Sequence, residues 1–313
     1  MSKKHFFAIV LVILAITAIT FSGCASARAE SRQPQMLHII DPIETTATKT
    51  TSTTELMAEI STTTTVATIT TAAITTTETP PAPKSELDLY KEESLRLLGG
   101  KKQLEGIDIS MYQADQDWQG YVDAADAVII RYSAGTEDLD PYFDEMMSYA
   151  MSKHKLVGIY FYTNVNTWAA LDAAEYARWC IDHTKEYLGY AIYVLDAEEA
   201  PLLDTQWILT YLRTFKAETG VKPILYTGQH KLNQAASTDS TAEALRTIRA
   251  ESYGLWIARY GENDGEVYDF DVFLWEENKV FGHQYVSKVE NLDRDIFYCT
   301  PSAWYEFAKQ AIT

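Results

Sequence analysis

Seven short apolar runs, most of them separated by stretches of helical periodicity, constrain this chain more than any other feature. They read GIDIS (106–110), AVIIRYS (127–133), LVGIYFY (156–162), YAIYVLD (190–196), KPILYT (222–227), LWIARY (255–260) and VFGHQYV (280–286). Each has the length of a strand and is rich in branched or aromatic residues. Between them, Pro141 to Lys153, Thr167 to Glu186 and Thr205 to Thr219 carry helical patterns. Strand and helix in alternation predict a parallel sheet, open or closed. The spacers shorten toward the C-terminus, so the repeat is not cleanly eightfold, and no sequence repeat accompanies it. About 210 residues follow Leu104, enough for one large core and the lower end for an α/β barrel.

The residues before this region are of a different kind. Lys3 and Lys4 precede a 16-residue apolar run, Phe6 to Phe21. That is short of the roughly 20 residues that cross a bilayer comfortably. A basic start, a short apolar core and small residues after it read as a secretory signal over residues 1–24. The run ends FSGC, which resembles the bacterial lipoprotein box, with Cys24 as the lipidated first residue of the mature chain and Phe21 where Leu is usual. Cleavage near Ala25 to Ala27, or an uncleaved anchor, are the alternatives. All three place the remainder outside the cytoplasm, at the outer face of the membrane or secreted.

Thr45 to Thr79 holds 18 Thr in 35 residues and leads into PPAP at 80–83. Such a segment cannot bury enough surface to offset its ordering entropy. Residues 25–84 are therefore expected to form a disordered Thr/Pro-rich linker, a candidate for glycosylation, spanning roughly 40 Å as coil. Residues 85–103 form a short helical lead-in: Ser85 to Leu98 has helical character and a Gly pair ends it. A catalytic barrel is expected over 104–313.

A formal net charge of −18 argues against nucleic acid as a partner, because phosphates need Lys and Arg. The other cysteines are Cys180 and Cys299. Outside the cell they either pair or stand as two separate buried thiols, and spacing does not choose. No CxxC or HxxxH spacing suggests a zinc site, and the six histidines are scattered, so neither metal nor cofactor is expected.

Chemistry points to the acids. In parallel α/β folds functional groups gather at the carboxyl ends of strands. Asp196 and Glu198 sit at one such end, in YVLDAEEA. Two residues apart on an extended chain, they face the same way, with Ile192 and Val194, whereas Glu199 faces away. Asp108 lies mid-strand between Ile107 and Ile109, where an unpaired carboxylate would be costly to bury. A cap on a nearby helix or a pairing with Arg131 is the structural alternative. Asp293 and Asp295 form a last acidic pair. Two carboxylates about 6 Å apart repel by roughly 2.8 kcal/mol at an effective dielectric near 20, about two pKa units. One of them then keeps its proton near neutral pH, which is what a glycoside hydrolase requires of its acid. Alternate Cα atoms on a strand lie about 6.7 Å apart, a spacing that straddles the retaining and inverting separations of about 5–5.5 and 6.5–9.5 Å. The chain also has 20 Tyr and 7 Trp. Tyr160, Tyr162, Tyr226, Trp256, Tyr260 and Tyr285 fall at strand ends, where aromatic faces suit sugar rings. Core packing is the competing account for about half of them.

These residues resemble one family. GIDISMYQADQDW (106–118) is similar to the GxDvSxxQgxidW opening of the family 25 glycoside hydrolases, the Chalaropsis-type lysozymes. IIRYSAGTEDLDPYF (129–143), GIYFY (158–162), YVLDAE (193–198), TGVKPILYTG (219–228), LWIARY, and HQY (283–285) with NLDRDIF (291–297) resemble the family's later segments, in order, over about residues 104–308. His283 stands where Trp is usual, Asp295 where Asn is common and Phe161 where His is frequent. The resemblance implies an irregular, flattened β/α barrel of TIM type and hydrolysis of the β-1,4 bond between N-acetylmuramic acid and N-acetylglucosamine, with peptidoglycan strands as substrate, retained configuration and a monomeric enzyme. Carried over by motif, Glu198 is the general acid. Asp196 stabilises or orients the 2-acetamido group or acts more directly, and Asp108 and Asp293 shape the pocket charge. Tyr160, Tyr162, Tyr226, Trp256, Tyr260, Gln284 and Asp295 are the expected substrate-binding residues. A wall-binding module without turnover and a hydrolase of another N-acetylated glycan such as chitin are the other readings; the presence of all four acids weighs against the first.

Overall fold

The computed structural model describes residues 83–199, 204–275, 280–287 and 289–309. The expected signal sequence, Cys24 and residues 25–82 of the expected linker lie outside the described residues. The elements run α1 (Glu86–Leu98), β1 (Leu104–Ile109), α2 (Trp118–Ala124), β2 (Ala127–Ala134), β3 (Asp138–Leu139), α3 (Phe143–Ser152), β4 (Leu156–Tyr162), α4 (Val165–Ala170), α5 (Ala173–Thr184), β5 (Ala191–Asp196), α6 (Thr205–Thr219), β6 (Ile224–Gly228), α7 (Gln229–Ala236), α8 (Asp239–Ala250), β7 (Leu255–Ala258), β8 (Gly282–Val286), β9 (Asp293–Phe297) and α9 (Pro301–Ala308).

Eight strands close a barrel. They are hydrogen-bonded in the order β1, β2, β4, β5, β6, β7, β8, β9, and β9 returns to β1. The first seven are parallel to their neighbours, while β9 is antiparallel to both β8 and β1. The two-residue β3 hangs outside the ring on β2. NLDRDIF, which the sequence marks by its acid pair but not as a strand, therefore holds the closing strand. Its alternation puts Asp293, Asp295 and Phe297 on one face, and Arg294 and Ile296 on the other.

The same alternation divides the core in two. Leu104, Ala127, Ile129, Leu156, Ile192, Val194 and Phe297 belong to one buried cluster, inside the ring. Ile107, Ile109, Val128, Ile130, Val157, Ile159, Tyr193 and Leu195 belong to another, packed against the helices. The interior is crowded at Phe297, and glycine makes the room. A Cβ on Gly106 would stand 2.3 Å from the Phe297 ring, and one on Gly282 would stand 2.6 Å from it. At the amino ends of the strands, α1 and α9 close the bottom. Tyr90 donates its hydroxyl to the Lys155 carbonyl, and the Trp304 indole donates to the Val157 carbonyl at 3.2 Å. The lead-in helix, begun by a Ser85–Asp88 capping box, thus packs on the barrel through Tyr90.

Two helical expectations change. Thr167 to Glu186 is not one helix, because Asp172 accepts from the Ala174 and Glu175 amides and starts α5 afresh. A helix pair, α7 and α8, fills the β6 to β7 connection, where no helix was anticipated. Cys180 and Cys299 are both free and buried, in different clusters. Of the two readings of these residues, separate thiols is the correct one.

Candidate active site

The carboxyl ends of the parallel strands converge on a cavity of 310 Å³. Asp108, Asp196, Glu198 and Asp293 all line it, as do Tyr160, Tyr162, Tyr226, Trp256, Tyr260 and Gln284. The acids come from three separated parts of the chain: β1, the end of β5 and the start of β9. Strand closure sets Asp108 directly opposite Asp293 across the antiparallel β1–β9 pair. The helix-cap and Arg131-pairing alternatives for Asp108 fall away. Arg131 meets Asp140 instead, at 3.1–3.2 Å, and both are buried.

Asp295 is the exception among the expected substrate contacts. It is 1 % exposed and does not line the cavity. Lying one pair deeper than Asp293 on the same face of β9, it sits beside Gly106 rather than at the mouth. His283 and Phe161, the other two departures from the family pattern, are fully buried and point outward to the helix shell. His283 bonds the Arg259 carbonyl at 2.7 Å and packs edge-on to Phe270, and burial pushes its pKa down to about 4. Neither touches the cavity.

The hydrogen bonds fix orientation. Gln284 accepts at Oε1 from Tyr226 at 2.8 Å and from Tyr260 at 2.7 Å. Two phenols on one oxygen oblige the amide nitrogen to face the other way, where it donates to Asp108 Oδ2 at 2.7 Å. The Trp256 indole donates to Asp295 Oδ1 at 3.0 Å. Ser110, Tyr112, Gln113 and Arg131 also line the cavity. The first three lie within the GIDISMYQADQDW motif, so that motif is the signal that marks them. Tyr112 is 66 % exposed and lies over the Arg131 guanidinium at 4.9 Å, an aromatic face at the rim. Gln113 ties the β1 loop to the β8–β9 connection through the Asn291 carbonyl at 3.2 Å.

The acids are more strongly perturbed than a pairwise estimate anticipates. Burial first, then Glu198 and Asp108, holds the Asp196 carboxyl well above the usual range. Burial and then Asp295 does the same for Asp108. Burial, Asp108 and Glu198 push Asp293 up to about 9. Glu198 is raised by burial against the opposing pull of Lys231. All four acids are thus shifted toward holding a proton, Asp293 far enough to keep its own at neutral pH. Asp196 Oδ1 is buried and meets no donor among the described residues. Glu198 also borders a second, adjoining cavity of 490 Å³, lined by Gln229, His230, Asn233, Arg259 and Tyr260. Glu199 is exposed at the surface.

Clustered acids that keep protons, at the carboxyl mouth of a barrel walled by Tyr and Trp, define a glycoside hydrolase. The sequence profile of the glycosyl hydrolases family 25 matches residues 107–293, more than half of the 313-residue chain. The chain belongs to that family, and its activity is hydrolysis of the cell-wall glycan peptidoglycan, outside the cytoplasm. Among solved structures, it is similar to a muramidase from Acremonium alcalophilum, with 22 % identity and a TM-score of 0.51 over 66 % of this chain and 98 % of that one. It is also similar to the bacterial lysozyme from Streptomyces coelicolor, with 19 % identity and a TM-score of 0.49 over 66 % and 96 %. No curated protein matches the chain.

Proposed function

We propose that the enzyme is an N-acetylmuramidase that cleaves the β-1,4 bond between N-acetylmuramic acid and N-acetylglucosamine, with Glu198 as proton donor. The observation that carries this reading is that Glu198 is the carboxyl shared by both cavities. An acid in that position meets a glycosidic oxygen whose two sugars lie one on each side. Burial raises its pKa, the direction a proton donor requires. Asp196 lies deeper, with Oδ1 lacking a donor. The N–H of a 2-acetamido group is a donor of the right kind for it. Accepting that bond orients the acetamido oxygen toward the anomeric carbon, so the substrate itself supplies the stabilising group and configuration is retained. Asp108, anchored by Gln284, faces the developing oxocarbenium ion from the floor, with Asp293 beside it holding its proton. Tyr160, Tyr162, Tyr226, Trp256 and Tyr260 form the walls that hold the sugars.

Digestion of purified cell walls with mass spectrometry of the products tests this. Fragments ending in reducing muramic acid are expected. Reducing N-acetylglucosamine ends, or cleavage of chitin alone, would overturn the assignment. No release anywhere between about pH 4 and pH 8, which spans the ordinary carboxylate and histidine ranges, would favour a binding module.

We propose further that a lipid on Cys24 holds the monomeric enzyme at the outer face of the membrane, with residues 25–84 as its tether to the wall. The FSGC box and the Thr-rich composition support this. Cys24→Ala is expected to move the protein from the membrane fraction into the medium; retention in the membrane would point to an uncleaved anchor.

A further inference from the structure

We propose that Asp108 and Asp295 hold one proton between them, and that Asp295 is thereby a positioning residue for the floor of the active site. The inference rests on the site reading above for its purpose, but the proton is a property of the free protein.

The geometry begins with Gly106. On β9, Asp293 stands opposite Asp108, and Asp295 stands opposite Gly106. The space over Gly106 is filled by the Phe297 ring, which a Cβ there would meet at 2.3 Å, and Asp295 Cβ borders it at 3.4 Å. From that position, diagonal to Asp108 across the strand pair, the Asp295 carboxyl comes within hydrogen-bonding reach of the Asp108 carboxyl. Its two oxygens differ. Oδ1 accepts the Trp256 indole at 3.0 Å. Oδ2 is buried and meets no donor among the described residues. Asp108 likewise has one oxygen committed, Oδ2, to the Gln284 amide at 2.7 Å. Two ionised carboxylates cannot hydrogen-bond to each other, whereas a proton between the two groups gives the orphaned oxygen its partner.

Among the described residues, the groups that face the pair are chiefly acids and phenols. Acids face the pair from β9 itself, as Asp293, and from the end of β5, as Asp196 and Glu198. Phenols face it from β4, β6 and the end of β7, as Tyr160, Tyr226 and Tyr260. Tyr285 on β8 also lies near Asp295. Arg131, the cation of the cavity, is engaged by Asp140. Burial and neighbouring acids raise both carboxyls well above their ordinary range, in keeping with a retained proton.

A shared proton gives the pair one negative charge instead of two. It also locks the Asp108 carboxyl between Gln284 and Asp295, so that its plane is set by donors on two sides. The floor beneath Glu198 and Asp196 then carries a fixed single charge.

Carboxyl carbon NMR on aspartate-labelled protein tests the proton directly, with assignment by comparison with D295N. At neutral pH the wild type is expected to show one proton's worth of protonation over the Asp108 and Asp295 signals together. In D295N the amide fills the same space, donates to Asp108 and accepts from Trp256, so Asp108 is expected to shift to the carboxylate position. Two carboxylate signals in the wild type, two fully protonated ones, or an Asp108 signal unmoved in D295N would each overturn the proposal. If D295N does not fold, W256F replaces it: loss of the indole donor is expected to move the pair's titration upward, and an unmoved titration counts against it. For positioning, turnover on cell walls should be at least tenfold higher in D295N than in D295L, which has the size but no donor; equal turnover would remove that role. A wild type inactive on all glycans would sink the function reading and leave the NMR result standing.

Discussion

Replacing Glu198 with Gln separates acid catalysis from shape more cleanly than any other single change. The amide occupies the same space between the two cavities but has no proton to give. A positioned general acid contributes about 10²- to 10⁴-fold, so kcat should fall by that factor, roughly 2.7–5.4 kcal/mol of barrier. KM should change little, because the sugar contacts come from the aromatic walls. The deficit should also depend on the leaving group. An aryl glycoside whose phenolate departs unprotonated should recover most of the lost rate, while natural cell wall should not. Stability should move the opposite way. The folded-state pKa of Glu198 is raised, so its contribution is fully present below the unfolded value, about 4.3. It is lost as pH rises through the folded value. Gln does not titrate, so the variant should melt higher than the wild type at pH 7 and not at pH 4. Turnover within about threefold of wild type on cell walls, well short of the general-acid range, would show that the proton comes from another group. Melting curves separated equally at all pH values would show that Glu198 is not in the raised environment described.

Asp293→Asn extends the linkage argument. Asp293 is pushed up to about 9, so its stabilisation is present at low pH and is lost as pH rises from about 4. Between pH 5 and 7 the variant should gain on the wild type by at most about 2.7 kcal/mol, and about half that allowing for its partial exposure. That corresponds to roughly 3–6 °C in melting temperature for a barrel of this size; parallel curves would refute it. Gly282→Ala drives a methyl to 2.6 Å from the Phe297 ring and should lower stability by about 1–3 kcal/mol in urea unfolding. Tyr226→Phe removes one of the two phenols that orient Gln284 and should reduce kcat about fivefold, the worth of one hydrogen bond of about 1 kcal/mol, with Tyr260 retaining the amide's direction.

Much of this protein is legible as periodicity. LVGIYFY and Thr205 to Thr219 are a strand and a helix with the ends the sequence leads one to expect. A period of two carries Asp196 and Glu198 to one side, the same side as Ile192 and Val194, which lie inside the ring. It isolates Asp108 between Ile107 and Ile109 in the same manner. Those are local facts, decided by backbone geometry over a few residues. The missed elements lacked so clear a local signal. α7 and α8 lie in a polar stretch, and β9 is a charged five-residue segment whose alternation reads equally as a loop.

Depth and partnership were decided elsewhere. Alternation places Asp293 and Asp295 on one face but does not say that the first borders a cavity and the second is sealed beneath it. That follows from β9 running antiparallel to β1 in the register that sets Asp293 at Asp108 and Asp295 one pair deeper at Gly106. Arg131 could have met Asp108; the turn after β2 brought Asp140 to it instead. Local sequence determines which way a side chain points, because that depends on its own backbone. What it points at depends on strands nearly two hundred residues apart, such as Leu104 and Phe297, being closed into one ring at one register, and only the tertiary structure supplies that.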